Sequence, residues 1–262
     1  MRSSEENVGV LIEAWKLMVG RLPTGTITQA GGVATMFAHV PMSFLNLSIP
    51  DRPLEDAEDW RRALAVAKER AQACKYPSFV GLCEAWAPEG WERVAAEEGL
   101  ALALHMTGMA ADRLLPARRA LPKLEFRRVL DETTARDLAM INAQAYQMPP
   151  AVFECLCNLH LWRSDSFGYV GYAGERAVTA ASTFPVAGTL YVAFVATLPD
   201  AHGRGYAEAV MRQAIARGRQ AMGRTRMTLH ASEMGRPLYQ AMGFEAGAKM
   251  MLLETSLGST PH

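Results

Sequence analysis

At 262 residues, half of them hydrophobic, the chain is long enough for two domains and has the material for a sizeable core. Its 27 basic side chains balance 27 acidic ones, which excludes the basic field that nucleic acid or an anionic membrane surface would require. The start, Met1-Arg2-Ser3-Ser4-Glu5-Glu6, has no apolar stretch of a secretion signal, no apolar run approaches membrane-spanning length, and Cys74, Cys83, Cys155 and Cys157 form neither a paired framework nor a zinc-ligand set. The expectation is a cytoplasmic protein with no metal site and no nucleic-acid or membrane partner.

In chain order, the first half offers an apolar run ending in Ser48-Ile49-Pro50-Asp51, an Ala-rich helix over 54–73 and a Glu98-Gly99-Leu100 turn, with Trp60, Trp86 and Trp91 as core anchors. The stretch from Asp112 to Lys123 carries two prolines and four basic residues and interrupts the patterns on both sides, so it is read as the boundary. This divides the chain into a domain over 1–116, a linker over 117–123 and a domain over 124–262. Beyond it the alternation predicts a strand over 124–130 and a helix over 133–146 that Pro149-Pro150 breaks. A second helix over 151–161 follows, then strands over 167–172 and 177–184 joined at Gly174-Glu175, and a third strand over 190–197. A helix over 208–222 carries Met211, Ile215, Gly218 and Met222 on one face. A short strand over 226–231 precedes Ser232, the expected N-cap of a helix to Met242, with Gly243 at its C′ position and a last strand over 249–254. Met222, Met227, Met234, Met242, Met250 and Met251 read as adaptable core filler.

The chemistry concentrates in Thr197-Leu198-Pro199-Asp200-Ala201-His202-Gly203-Arg204-Gly205-Tyr206-Ala207. A β-branched strand feeding a Gly-x-Gly turn at a helix start is an anion-binding arrangement: backbone N–H groups converge without Cβ hindrance, and the helix adds unpaired donors at its positive end. No Lys follows Gly205, against a P-loop. Glu208 stands where a dinucleotide fingerprint needs a small residue, and the turn follows apparently antiparallel strands rather than opening a first βαβ unit. A coenzyme A pyrophosphate loop remains.

At this point the chain resembles the GNAT superfamily of acyl-CoA-dependent N-acetyltransferases, whose loop is written [Arg/Gln]-x-x-Gly-x-[Gly/Ala]. His202-Gly203-Arg204-Gly205-Tyr206-Ala207 follows it with His at the first position, Thr197-Leu198-Pro199 matches the end of the preceding strand, and Leu238-Tyr239-Gln240-Ala241-Met242-Gly243-Phe244 matches a later helix. The resemblance covers about residues 124–254. It implies an α/β (α+β) fold of mixed, mostly antiparallel sheets flanked by helices. It also implies acetyl-CoA, or another acyl-CoA, bound along Phe194, Val195, Ala196 and Thr197, with its diphosphate on His202, Gly203, Arg204, Gly205, Tyr206 and Ala207. Ser232 stands where many relatives place Asn, and Tyr239 would protonate the departing thiolate. The acceptor is a small-molecule or peptide amine; a second copy of the chain is a candidate partner. For the amine's proton, His230, Glu233, Glu154 and an ordered water stay open; His230 is read first as a satisfied core histidine and His202 as positional.

The first half reads as a worn copy of the second. Ser48-Ile49-Pro50-Asp51 aligns with Thr197-Leu198-Pro199-Asp200 at an offset of 149, and Glu98-Gly99-Leu100 with Met242-Gly243-Phe244 at 144, the signature of a duplicated domain. Leu54 then stands for Gly203, Asp56 for Gly205 and Ala95 for Tyr239, among Glu55, Glu58 and Asp59. Carboxylates at a helix start satisfy its dipole and repel phosphate, so the first copy is expected to have lost the anion site. Two alternatives stay beside the enzyme: a non-catalytic acyl-CoA-binding or regulatory protein, and a structural tandem with both sites empty.

Overall fold

The computed structural model describes residues 4–255, a mixed α/β chain in two compact units. One unit comprises the described residues up to Gly108 together with those from Gly247 onward; the other is Met109–Ala246. The first begins with α1 (Ser4–Val19), β1 (Thr26–Ala30), β2 (Val33–Phe37) and β3 (Asn46–Pro50), followed by α2 (Ala57–Gln72), β4 (Phe79–Cys83), α3 (Trp91–Glu97) and β5 (Leu100–Ala111), whose last three residues fall in the second unit. The second unit continues with β6 (Glu125–Arg128), α4 (Glu132–Ala145), α5 (Pro150–Phe153), β7 (Tyr169–Ala173), β8 (Arg176–Val186) and β9 (Thr189–Thr197). It ends with α6 (Tyr206–Met222), β10 (Met227–Ala231), α7 (Arg236–Met242) and the start of β11 (Glu245–Thr255).

In the first unit β1, β2 and β3 form an antiparallel meander, β4 joins β3 in parallel, and β11 pairs antiparallel with β4, Met250 opposite Cys83 and Leu253 opposite Val80. The final strand over 249–254 thus completes the sheet of the first unit. In the second unit β6, β7, β8 and β9 are successively antiparallel, and β10 joins β9 in parallel. Parallel neighbours need a crossover, supplied by α2 between β3 and β4 and by α6 between β9 and β10. Both units therefore run strand, helix, strand, helix, and α2 begins at Ala57 where α6 begins at Tyr206, the 149-residue offset of the Pro-Asp alignment.

Local signals account for the helices. Asp56 caps α2 by accepting from the Asp59 N–H at 2.8 Å, and Trp60, Ala63, Leu64 and Ala67 lie buried on one face. That face packs on Val80, Leu82, Met251 and Leu253. Asp131 and Thr134 form a reciprocal capping box at the head of α4. On α6, Val210, Met211, Ala214, Ile215 and Gly218 face Leu190, Val192, Met227 and Leu229. A Cβ on Gly218 would stand 2.7 Å from Thr183 Oγ1, so only glycine lets this helix settle on the sheet.

Several boundaries depart from the sequence pattern. The expected helix over 151–161 is one turn, α5, followed by two 3-10 turns, Glu154–Cys157 and Leu159–Leu161. Asn158 takes an extended conformation, its side chain accepts from the His160 N–H at 3.0 Å, and Trp162 Nε1 donates to the Leu156 carbonyl at 2.8 Å, so tertiary bonds replace the helical ladder. α7 starts later than expected, at Arg236, but Ser232 caps the turn that leads into it: its Oγ accepts from the Gly235 N–H at 3.3 Å and its carbonyl accepts from both Gly235 and Arg236. Met234 is 73% exposed rather than core filler. The stretch read as the boundary, Asp112 to Lys123, falls within the second unit, where Leu115 N–H donates to the Met242 carbonyl at 2.9 Å.

Asp59 is buried and accepts a bidentate pair from Arg52, both bonds 2.8 Å, which holds its carboxyl at about 2. A depressed carboxylate contributes stability above its unfolded value that disappears as pH falls through the folded one. Because the Arg52 side chain is 47% exposed, solvent screening trims that contribution to about 1–2 kcal/mol. Urea unfolding of Asp59→Asn at pH 7 should show this loss relative to the parent, and the gap should close between pH 4 and pH 2; a gap independent of pH would assign the loss to packing.

Candidate functional site

The site lies wholly in the second unit and begins with an irregularity in β9. Ser182 stands opposite Ala193 and Ala180 opposite Ala196, so Phe194 and Val195 face a single residue of β8. This bulge places Phe194 at φ +53°, a left-handed conformation costly for a side chain with a Cβ. Hydrogen bonds pin it on both sides: Ser182 Oγ donates to the Ala193 carbonyl at 2.7 Å and Thr179 Oγ1 to the Ala196 carbonyl at 3.0 Å. Phe194 itself turns onto Trp162 and Phe184, ring centroids 6.2 and 6.1 Å away. The ladder of β9 with β10 runs only through Leu190 and Tyr191, opposite Met227 and Thr228, leaving the strand beyond the bulge without its parallel neighbour.

The turn after β9 is held from outside. Arg176 grips the Asp200 carboxylate with bonds of 2.8 and 3.0 Å, and His202 Nε2 donates to the Thr197 carbonyl at 2.9 Å. Gly203 and Gly205 both have left-handed backbones, φ +75° and +79°, and Gly205 is the residue from which α6 departs. From Gly203 to Glu208 the backbone N–H groups have no acceptor among the described residues. These donors sit at the positive end of a 17-residue helix, an arrangement suited to a diphosphate.

A cleft of about 360 Å³ joins these parts. Of the residues singled out in the sequence, Val195, Ala196, Thr197, His202, Gly203, Gly205, Tyr206, Ala207, Ser232 and Tyr239 line it; Phe194 and Arg204 do not. Phe194 serves the bulge and its aromatic cluster, and Arg204 is exposed, reaching the Asp200 carbonyl at 3.4 Å. Tyr239 is 9% exposed, and burial pushes its phenol well above the ordinary value. Tyr146, at the end of α4, faces the same cleft; its ring stacks on Phe153 at 5.9 Å, and desolvation raises its hydroxyl too.

None of the three side chains considered as a base lines the cleft. Glu154 and Glu233 are exposed, and His230 Nδ1 pairs with the buried Tyr191 hydroxyl at 3.0 Å. Glu208, a carboxylate that does line it, is bound to Arg212 at 2.8 Å. Sequence reasoning passed over Arg119, whose guanidinium lines the cleft and donates to the Gly203 carbonyl at 3.0 Å. Its basic, proline-flanked setting carried a signal, but one that reads equally as a linker.

No helix among the described residues is long and apolar enough to cross a membrane. No curated protein matches the sequence. The acetyltransferase (GNAT) family model matches residues 135–244, which contain β7 to β10, the glycine turn and Tyr239. Among solved structures, a GCN5-related N-acetyltransferase from Kribbella flavida superposes with a TM-score of 0.69 at 18% identity, covering 97% of this chain and 98% of that one. A crystal structure titled as an acetyltransferase of the GNAT family from Novosphingobium aromaticivorans gives 0.59 at 18% identity, over 97% and 100% of the two chains. A tandem GNAT protein from the clavulanic acid biosynthesis pathway gives 0.50 at 12% identity, over 98% of each. Residues 135–244 thus match the GNAT acetyltransferase family model, and over its whole length the chain shares the fold of these GCN5-related and tandem GNAT structures.

Proposed function

We propose that the second unit binds an acyl-CoA, acetyl-CoA first among them, and transfers its acyl group to a small-molecule or peptide amine. The observation that carries this reading is the convergence on one cleft of the strand edge beyond the bulge, the N–H cradle of the Gly203–Gly205 turn and the Tyr239 phenol. The cradle fits a diphosphate: its donors lack protein acceptors, and Arg119 Nη2 stands 3.3 Å from where a Cβ on Gly205 would lie, beside the cradle. When bound, acyl-CoA supplies a thioester, an acyl group already activated for attack by an amine.

The chain's own residues do the rest. Val195, Ala196 and Thr197 offer backbone groups that a pantetheine arm pairs with as an added strand, and an N–H there polarises the acyl carbonyl. Tyr239, held protonated by burial, donates its phenolic proton to the departing sulfur. No unpaired carboxylate lines the cleft among the described residues, so the acceptor enters as the neutral amine, and the proton its nitrogen releases as the amide forms passes to water while the Tyr239 phenol, having protonated the sulfur, is restored from solvent. The bulge opens the sheet where the acyl group must meet the amine, which gives the strained backbone of Phe194 a role.

We further propose that the first unit is a worn copy without an acyl-CoA site, the duplicated halves meeting at the stretch from Asp112 to Lys123, where two prolines and four basic residues interrupt the patterns on both sides. In support, the position matching Gly205 is Asp56, whose carboxylate caps α2, and Asp59 just behind it is locked to Arg52. Calorimetric titration of the full chain with acetyl-CoA tests both statements: one site per chain is expected. Two sites would overturn the silent first unit, and no binding by folded protein would overturn the acyl-CoA reading. The same cleft without a side-chain base also suits an acyl-CoA sensor, and release of free CoA in the presence of a panel of amines separates catalyst from sensor.

A further inference from the structure

We infer that Arg119, carried on a proline-flanked strap outside the glycine turn, clamps the diphosphate of bound acyl-CoA and supplies the cation that the turn's own first residue does not. The inference rests on the acyl-CoA reading above.

The strap is built into the second unit. Leu115 N–H donates to the Met242 carbonyl at 2.9 Å, Arg212 Nη2 donates to the Leu115 carbonyl at 2.7 Å, and Arg119 Nη2 donates to the Gly203 carbonyl at 3.0 Å. Its fit is close: a Cβ on Gly243 would meet Leu115 Cγ at 3.0 Å, and one on Gly205 would meet Arg119 Nη2 at 3.3 Å. Pro116 and Pro122 restrict the backbone on either side, so little ordering remains to oppose binding.

The other charges near the turn are already committed. His202, at the first loop position, turns its Nε2 back onto the Thr197 carbonyl at 2.9 Å. Arg204 points away from the cleft toward the Asp200 carbonyl. Glu208 is neutralised by Arg212 at 2.8 Å. Among the described residues lining the cleft, Arg119 is therefore the one Lys or Arg. A guanidinium has five N–H donors, and Arg119 spends one on Gly203 while lining the cleft, which leaves the others for a ligand bound there. The N–H groups fix where a diphosphate sits; Arg119 adds the charge, with the geometry guanidinium shares with phosphate oxygens.

The test titrates the full chain and its Arg119→Ala and Arg119→Lys variants with acetyl-CoA, 3′-dephospho-acetyl-CoA and S-acetylpantetheine. Arg119→Ala is expected to weaken both diphosphate-bearing ligands equally, about tenfold, the scale of one charge-assisted hydrogen bond, and to leave S-acetylpantetheine unchanged. Arg119→Lys should recover part of the loss, and the affinity of Arg119→Ala should depend less on salt. An equal loss toward S-acetylpantetheine would overturn the assignment in favour of a structural strap. A loss confined to the 3′-phosphorylated ligand would overturn it in favour of a different phosphate. Undiminished affinity of Arg119→Ala in a parent that binds acetyl-CoA would overturn it alone, whereas a parent that binds none of the three would overturn the acyl-CoA reading itself.

Discussion

Gly205→Asp is expected to lower acetyl-CoA affinity by about two orders of magnitude, some 2.7 kcal/mol, while the far-UV spectrum stays that of the parent. Three effects act together. Gly205 has φ +79°, a conformation that Asp tolerates better than most residues, so the turn and α6 survive. The new side chain starts 3.3 Å from Arg119 Nη2, fills space over the cradle and pairs with that cation. Its carboxylate then sits at the positive end of α6, taking the favourable field that a diphosphate would use. The first unit already shows this arrangement, with Asp56 capping α2 at the matching position. Gly205→Ala separates charge from bulk: it should retain most of the affinity that Gly205→Asp loses. Unaltered binding by Gly205→Asp in calorimetry would remove the glycine turn from the site.

Tyr239→Phe is expected to slow acyl transfer by about 10²–10³-fold, within the usual range for a lost general acid, with acetyl-CoA affinity unchanged. The buried phenol loses a proton donor and no packing volume, so the fall should appear in kcat and not in the dissociation constant. The pH dependence gives a second readout. Burial raises Tyr239, so its protonated, donating form persists beyond the ordinary phenol range and no alkaline decline in rate should arise from it below pH 10. On the acid side the parent rate should rise with pH as the acceptor amine becomes neutral, since the cleft's carboxylate is engaged by Arg212. A Tyr239→Phe variant with the parent's kcat across this range would take the phenol out of the mechanism.

The parts of the site legible in the sequence are those whose chemistry is local. The run from Leu190 to Thr197 reads as a strand because β-branched and aromatic residues follow one another, and β9 ends where Pro199 begins a turn. Gly203 and Gly205 announce a backbone that other residues resist, and both have positive φ. The spacing of Met211, Ile215 and Gly218 gives the face of α6 that packs on the sheet. The tyrosine of α7 lies three helical positions before its end at Met242, a span short enough for sequence spacing to bring it to the cleft.

The less legible parts depend on neighbours far along the chain. Nothing in Phe194 signals a left-handed backbone; the bulge follows from the register that Ser182 and Thr179 impose from β8. Asn158 and Trp162 look compatible with a helix until their side chains find backbone partners that break it. Met234 resembles core filler by composition, and its exposure follows from the turn that Ser232 holds before α7.

By itself, the sequence determined the order of elements, the glycine turn at the head of a helix, the place of Tyr239 on α7 and the matching offsets between the halves. Each is written in periodicity, in glycine's conformational freedom or in a fixed spacing, and needs only nearby residues to be read. Tertiary structure alone decided that β11 completes the first unit's sheet, that β9 bulges beside the cleft, and that a stretch with the composition of a linker lays Arg119 over Gly205. The reason is physical: strand partners and guanidinium contacts are chosen by the free energy of long-range pairing, to which local propensity contributes little.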